Sequence, residues 1–258
     1  MPDARPDAPI QLTVDYADSA LRLNWNHDVQ YSSRNGGSPI VSYTVAISGG
    51  TTGTEVISDP GARSYTWPGL VNGTAYQFTV TATNTSGLQG TSVASVAEYP
   101  SGIPTGDAAP VASPINDDIG GAFNVTFTTS GVDPKGDPVK QWIVVPSGRS
   151  GASSASPVTV NADGRTSYTV RVGGMRLEPT LFTIQAVNRG PGVGTVGSTG
   201  RYQVAYPQPR ITKASWAPRE GGAAVTMETN VPKGRPSATS IRSTAATTAP
   251  STASPCRA

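Results

Sequence analysis

The chain has 258 residues, of which 14% are charged, and its formal net charge is +2. A charge this small gives no support to nucleic-acid or anionic-membrane binding, both of which rely on a strongly basic surface. The charged fraction lies well below the roughly 25% of an average domain, while Gly, Pro, Ser, Thr and Val are abundant. This composition predicts many short strands joined by turns.

Neither a membrane span nor a disulfide is expected. No apolar run approaches the ~20 residues of a membrane-spanning helix. The single cysteine, Cys256, excludes an internal disulfide, so packing alone must stabilise any core. Residues 1–7 lack an apolar stretch, so we expect a mobile lead-in and no signal peptide. The chain is then either intracellular or part of a longer exported protein whose signal lies elsewhere.

Seven short strands are predicted between residues 8 and 100, at spacings of about 8–12 residues. The clearest is Tyr76–Asn84, where large apolar residues alternate with polar ones, because period-two alternation is typical of a half-buried strand. In conventional sandwich lettering the strands are A (Ile10, Leu12, Val14), B (Leu21, Leu23, Trp25), C (Val41, Tyr43, Val45, Ile47), C′ (55–57), E (64–67), F (Tyr76–Asn84) and G (92–97).

Leu70, the Gly-bearing turn after it and the alternating run Tyr76–Asn84 resemble the fibronectin type III signature. The resemblance covers residues 8–100 and implies a Greek-key β-sandwich. It also implies that Trp25 lies in the core and that Tyr76 forms a tyrosine corner, in which its hydroxyl bonds an upstream backbone group. It implies little about a ligand, because such sandwiches carry many unrelated functions.

A second unit, residues 109–207, repeats this pattern after a linker at residues 101–108. Thr180 stands where Tyr76 stands, which predicts that the tyrosine corner is absent. Phe127 replaces the tryptophan, so the unit is identified as a divergent fibronectin type III or Ig-like sandwich. Its matching positions are Phe123, Val125 and Phe127 for strand B, Trp142 for Tyr43, Tyr168 for Tyr65, and Phe182, Ile184, Ala186 and Asn188 for strand F.

The end of the chain departs from the repeat. Residues 208–232 resemble strands A and B of a third copy, which we expect to be incomplete, because two strands cannot bury a sandwich core. Residues 233–258 are rich in Ser, Thr, Ala and Pro and are predicted to be disordered. The change also fits a truncated or frameshifted reading frame, or a stalk of the O-glycosylated kind.

No catalytic, cofactor-binding or metal-binding residue is predicted, so the protein is not expected to be an enzyme. His27, the only histidine, is interpreted as a solvated loop residue beside Asp28, and Cys256 lies in the tail. The alternative is a calcium site near the boundary between the units, because calcium binds carboxylate oxygens. It would use Asp117, Asp118, Asp133 and Asp137, although Asp133 and Asp137 also fit ordinary turn chemistry.

The favoured function is a non-catalytic adhesion, binding or spacer module of a bacterial cell-surface or secreted multidomain protein. It would be monomeric or part of a longer chain, and would bind a protein or glycan at loops or edge strands, without nucleic acid. The alternatives are an accessory region of a polysaccharide-degrading glycoside hydrolase and a phage virion decoration. A sugar ring could stack on aromatic side chains that the core alternation does not require, namely Tyr16, Tyr31, Tyr99 and Tyr202.

Overall fold

The computed structural model describes residues 3–28, 34–115, 120–149, 151–153, 155–175, 178–207, 211–219 and 222–229. Throughout these residues the regular elements are strands, and no helix is present. The fold is all-β, as predicted. The chain divides into two compact units, Met1–Gln208 and Pro209–Ala258. The first unit contains two β-sandwiches.

The first sandwich pairs a three-stranded sheet, in the order β1-β2-β5, with a four-stranded sheet, in the order β4-β3-β6-β7. Adjacent strands are antiparallel. This is the Greek-key arrangement that the resemblance implied. The strands are β1 (Ile10–Ala17), β2 (Ala20–Asn26), β3 (Ile40–Gly49), β4 (Gly53–Ile57), β5 (Ser64–Pro68), β6 (Tyr76–Asn84) and β7 (Gln89–Thr91).

The core of the first sandwich contains the predicted apolar positions. Trp25, Leu70 and Tyr76 are all buried. The Tyr76 hydroxyl accepts a hydrogen bond from the Val71 backbone N–H at 3.1 Å. The tyrosine corner predicted from the resemblance is therefore confirmed, and it anchors the turn that leads into β6.

Two details of the predicted strands are wrong. In β3 the pairing register shifts between Ile40 and Ser42, so Ile40 is buried and Val41 is exposed, the reverse of the predicted alternation. In strand G, regular pairing covers Gln89–Thr91 rather than residues 92–97. Beyond β7, the hydroxyls of Ser92 and Ser95 accept hydrogen bonds from backbone N–H groups of β6. These side chains replace ladder carbonyls, so the edge of the sheet is irregular.

The second sandwich has the same plan. One sheet has the order β15-β10-β9, and the other has the order β13-β12-β16-β17, with β14 also paired to β12. The short strands β8 and β11 pair with each other. The strands are β8 (Thr105–Gly106), β9 (Val111–Pro114), β10 (Phe123–Thr128), β11 (Val132–Asp133), β12 (Gln141–Gly148), β13 (Gly151–Ala152), β14 (Val158–Asn161), β15 (Ser167–Val172), β16 (Thr180–Val187) and β17 (Gly194–Ser198).

Three aromatic rings pack together in the second core. Phe127 stacks on Tyr168 with ring centroids 5.4 Å apart, and Trp142 packs against both. Thr180 carries no tyrosine corner, but Tyr168 makes a comparable bond elsewhere. Its hydroxyl accepts from the Asp163 backbone N–H, five residues upstream, at 3.0 Å. The same anchoring device therefore occurs before β15 instead of before β16.

The predicted linker at residues 101–108 is well ordered by its contacts. Ser101 and Ala108 are buried, and Thr105–Gly106 forms strand β8. Ala108 donates its backbone N–H to the Val196 carbonyl and accepts from Thr128. The Pro- and Gly-rich composition suggested a spacer, whereas most of this segment packs on the second sandwich.

The compact unit Pro209–Ala258 contains an antiparallel hairpin of β18 (Ile211–Arg219) and β19 (Gly222–Thr229). In this hairpin Trp216 lies opposite Val225. Trp216 is 73% exposed. Identification of residues 208–232 as an incomplete third copy stays a prediction, and residues 233–258 lie outside the described part of the chain. In the described residues, no helix is long and apolar enough to cross a membrane.

Candidate functional site

His27 is only 3% exposed, so its interpretation as a solvated loop residue is wrong. Its Nδ1 atom lies 2.9 Å from the hydroxyl oxygen of Tyr43. Burial lowers the pKa of His27 below its ordinary value of 6.5, and the positive charge of Arg63 acts in the same direction. Burial favours the neutral form of the imidazole. The ring packs at the end of the first sandwich where β2 ends.

Arg63 completes a cluster that we call the His27–Arg63 clasp, formed by His27, Tyr43 and Arg63. Its guanidinium carbon lies 5.5 Å from the centroid of the Tyr43 ring, and Nη1 donates to the Tyr43 hydroxyl at 3.1 Å. Arg63 also donates to the His27 carbonyl at 2.9 Å. Because Arg63 precedes β5 and His27 follows β2, the clasp closes one end of the first sandwich.

The two described carboxylates of the proposed calcium site are bonded to protein donors. Asp133 accepts the Lys135 backbone N–H at 2.8 Å, and this bond holds the pKa of Asp133 below its ordinary value. Asp117 and Asp118 lie outside the described residues. Among the residues that the structure describes, no group of three or more His, Cys, Asp or Glu side chains could hold a metal ion.

Asp137 is buried where the two sandwiches meet. It accepts hydrogen bonds from the Tyr99 hydroxyl at 3.0 Å and the Arg189 backbone N–H at 2.9 Å, and Lys140 Nζ lies 3.4 Å away. Burial alone would raise the pKa of Asp137, but the Arg189 and Tyr99 hydrogen bonds and the Lys140 charge outweigh it and lower the pKa. The buried carboxylate is therefore charged and paired with protein groups.

Arg189 reaches from the second sandwich into the first and is the centre of the contact, which we call the junction. Its guanidinium carbon lies 3.5 Å from the Tyr99 ring centroid and 4.1 Å from that of Tyr16. It pairs with the Glu98 carboxylate at 2.9 Å and donates to the Tyr99 carbonyl. In return, the Tyr16 hydroxyl donates to the Arg189 carbonyl at 2.5 Å. A guanidinium between two aromatic faces combines cation–π attraction with a charged pair.

Asn188, at the end of strand F, orders the backbone beside Arg189. Its Nδ2 donates to the Gly102 carbonyl at 2.9 Å and to the Pro134 carbonyl at 2.8 Å. Asn84 holds the same place in the first sandwich, donating to the Ala4 carbonyl at 3.1 Å. In both copies the asparagine ties strand F to the segment that precedes the sandwich. In the second copy, that segment is the chain leaving the first sandwich.

Backbone contacts close the junction around two glycines. Gly136 has a φ of +89°, and a Cβ atom there would lie 2.4 Å from the Gly73 nitrogen. Gly73 donates to the Pro100 carbonyl at 2.9 Å, and Gly102 donates to the Lys135 carbonyl at 3.0 Å. A side chain at position 136 would clash and would also be strained by its positive φ. The loops of the two sandwiches can therefore approach closely only because this position is glycine.

The predicted stacking aromatics have other roles where they are described. Tyr16 and Tyr99 stack on Arg189 of the same chain, and the Tyr202 ring centroid lies 5.8 Å from the guanidinium carbon of Arg149. Tyr31 lies outside the described residues. The sequence patterns did not predict the role of Arg189 in the junction. Its position could have indicated this role, because it directly follows Asn188, the repeat counterpart of Asn84, at the end of strand F.

One family model matches the first part of this chain. Residues 7–98 match the family model of the fibronectin type III domain. A solved structure of the FN1–FN3 domains of chicken CNTN1 is similar over 79% of this chain and 67% of that chain, at 16% sequence identity and a TM-score of 0.46. No curated protein matches the sequence.

Proposed function

We propose, from the premise that residues 7–98 form a fibronectin type III domain, that this chain is a non-catalytic binding or spacer module. Its two sandwiches, predicted as domains 8–100 and 109–207, are held by the junction in one fixed arrangement. Domains of this family typically serve as binding or spacing units. The module then sets the distance and orientation between the ligands of neighbouring domains and the ligands of its own exposed surfaces.

The enclosure of Arg189 carries this proposal. Its side chain is only 17% exposed, although it extends from one sandwich to the other. Freely moving sandwiches would leave a charged side chain in water, whereas here it exchanges water for two rings and a carboxylate. Two partly buried hydrogen bonds hold the same loop, from Asn188 to the Pro134 carbonyl and from the Arg189 backbone N–H to Asp137. Loss of one such partner leaves other polar groups unsatisfied, which makes the arrangement cooperative.

Exposed apolar residues on outer strands support binding at edges. Val56 lies on the edge strand β4, and Val93 and Val96 follow the edge strand β7. Edge strands recruit partner strands through unpaired backbone groups. We place the partner, a protein or a glycan, at these edges or at exposed loops, and place the protein on a bacterial surface or outside the cell. Antibody labelling of intact cells checks the location, and labelling only after lysis contradicts it.

The fixed arrangement is tested by residual dipolar couplings from the two sandwiches. We expect one alignment tensor to fit both in the native chain, because they move as one body. Arg189→Ala should require two separate tensors while leaving each sandwich folded, as judged by its chemical shifts. Arg22→Ala is the matched control, because Arg22 is exposed on β2 and lies outside the junction. Two tensors in the native chain would contradict the proposal.

A further inference from the structure

A cleft of about 300 Å³ opens at one end of the second sandwich. Its walls come from the loops that follow β11 and precede β15, and its floor from the aromatic core. The lining is mostly apolar, with Val132, Pro138, Val139, Ala162, Trp142 and Tyr168. An open apolar concavity with an aromatic floor has the character of a ligand site.

The equivalent place in the first sandwich contains the His27–Arg63 clasp. Tyr43 corresponds to Trp142 and His27 to Thr129 in the repeat. Arg63 lies opposite Trp25 and Tyr168 lies opposite Phe127 on the neighbouring strand, so Tyr168 is the counterpart of Arg63. The imidazole is thus replaced by the threonine side chain of Thr129, which lines the cleft, and the guanidinium by the Tyr168 ring, which forms part of the floor. The replacement of the imidazole by a smaller side chain contributes to the space, because a close-packed interior leaves voids where volume is removed.

We propose that this cleft binds an uncharged aromatic side chain, phenylalanine or tryptophan, presented by a partner polypeptide. This goes beyond the role of a spacer, since it assigns a specific recognition site to the second sandwich. The ring enters the cleft and contacts the wall formed by Pro138, Val139 and Ala162, while the peptide backbone of the partner stays outside.

Charge and size define this occupant. Arg165, the charged residue among those that line the cleft, already pairs through Nε with the Asp163 carboxylate at 2.9 Å. The other lining residues are uncharged, so a charged ligand would lose water there without gaining a partner, whereas a neutral ring would not. The volume is at the lower limit for whole small-molecule ligands. It therefore suits one side chain of a larger molecule.

The cleft is continuous with the junction through one loop. Pro134 lines the cleft, and its carbonyl accepts the hydrogen bond from Asn188. Asp137, next to Pro138, binds Arg189 from the other side of the loop. An occupant is therefore in contact with the loop that fixes the second sandwich against the first. Arg189 itself does not line the cleft, so the junction and the cleft can be tested separately.

The test is an NMR titration of the full chain with N-acetyl-phenylalaninamide and N-acetyl-tryptophanamide. Trp142 reports binding through its Nε1–H, which is buried and has no acceptor among the described residues. We expect saturable shifts at Trp142 and Ala162 with a roughly millimolar Kd, as befits one ring without a partner chain. Benzyl alcohol should bind at the same place, because it carries the ring alone.

Two variants distinguish the cleft from other surfaces. Thr129→His rebuilds the imidazole position of the first sandwich, and should weaken binding at least about tenfold. The same change on the outer sheet face, Thr126→His, should leave binding unchanged, since Thr126 is exposed there. If the rebuilt variant does not fold, Ala162→Trp provides a second way to fill the cleft.

The outcomes separate the alternatives. No saturable shift at Trp142 in the native chain overturns the site. If the variant with the filled cleft binds the amides as tightly as the native chain does, the binding site lies elsewhere. Binding of benzyl alcohol without either amide overturns the polypeptide source, and tenfold tighter binding of N-acetyl-phenylalanine in its carboxylate form overturns the preference for an uncharged group.

Discussion

The two sandwiches close the same end of the same fold in different ways. In the first, Arg63 and His27 meet over Tyr43 and fill the space. In the second, Thr129 stands in place of His27 and Tyr168 in place of Arg63, and a cleft remains over Trp142. Both sandwiches nevertheless have an equivalent aromatic pair in the core. The ring centroids of Trp25 and Tyr43 are 5.5 Å apart in the first, and those of Phe127 and Trp142 are 5.5 Å apart in the second. The central core thus specifies the sandwich, while the end of the sandwich is free to differ between copies.

The largest expected effect comes from substitutions in the apolar cores, a feature that both sandwiches share. Trp25→Ala and Phe127→Ala should each lower the free energy of unfolding of their own sandwich by about 3–5 kcal/mol, because each leaves a cavity in a packed core. Urea unfolding followed through resonances of each sandwich gives the measurement. Val93→Ala, at a residue 85% exposed, should change the free energy by less than about 0.5 kcal/mol. A near-neutral Trp25→Ala would contradict the core assignment.

Substitution of the two equivalent asparagines should give the next largest loss of stability. Asn84→Ala and Asn188→Ala should each cost about 2–3 kcal/mol, since both side chains are buried and satisfy backbone carbonyls on separate segments. The two variants differ in one respect. Asn188→Ala should also loosen the junction and increase independent motion of the sandwiches in the dipolar-coupling experiment, whereas Asn84→Ala should not. Identical behaviour in that experiment would show that Asn188 serves its own sandwich only.

The clasp itself provides a smaller and more selective effect. Arg63→Ala should destabilise the first sandwich by about 1–2 kcal/mol, because Arg63 loses its cation–π contact and several hydrogen bonds to buried acceptors. Thr166→Ala, a control change just before β15 of the second sandwich, should have almost no effect, since Thr166 is exposed. Thermal unfolding of each variant checks the difference. Equal losses would mean that the clasp adds no particular stability to the first sandwich.

The smallest expected effect is the response to pH. The pKa of His27 lies below 6.5 in the folded protein because burial disfavours the charged imidazole, although Asp7 and Asp28 act in the opposite direction. The unfolded chain therefore binds the proton more readily. Stability of the first sandwich should be complete above pH 6.5 and fall as the pH drops below that value. Carboxylates such as Asp137, lowered from 3.8, act only at more acidic pH.

Urea unfolding between pH 7 and pH 5 measures this response. His27→Gln should remove it, and the second sandwich, which lacks a histidine, is the internal control. A decline of the same size in both sandwiches, or one that persists in His27→Gln, would exclude His27 as its source.

Local patterns were enough to predict the strands of both sandwiches but not their irregularities. The alternation in Tyr76–Asn84 predicted β6 correctly, because burial of one sheet face leaves a period of two in the sequence itself. Val41 was predicted to face inward, and the register shift beside Ile40 reversed this. Ser92 and Ser95 likewise replaced ladder carbonyls with hydroxyls. Such bulges depend on the neighbouring strand, so a single segment carries little sign of them.

The junction could be predicted least. Tyr16 and Tyr99 stood out as aromatics that the core did not require, but Tyr16 and Arg189 are 173 positions apart. Their contact depends on two complete sandwiches placing their loops together. The acidic residues near the same boundary suggested calcium, whereas Asp137 is bonded to Tyr99 and Arg189. Composition shows that charges are present, and only spatial proximity shows which donors they meet.

The sequence by itself therefore determined the strands, the two apolar cores and their repetition, because these follow from periodicity and from the need to bury large side chains. The tertiary structure alone decided that His27 is buried, that Arg189 joins the sandwiches and that a cleft is open beside Trp142. Each of these depends on loops, where the backbone has no regular period and a side chain's environment comes from residues distant in sequence.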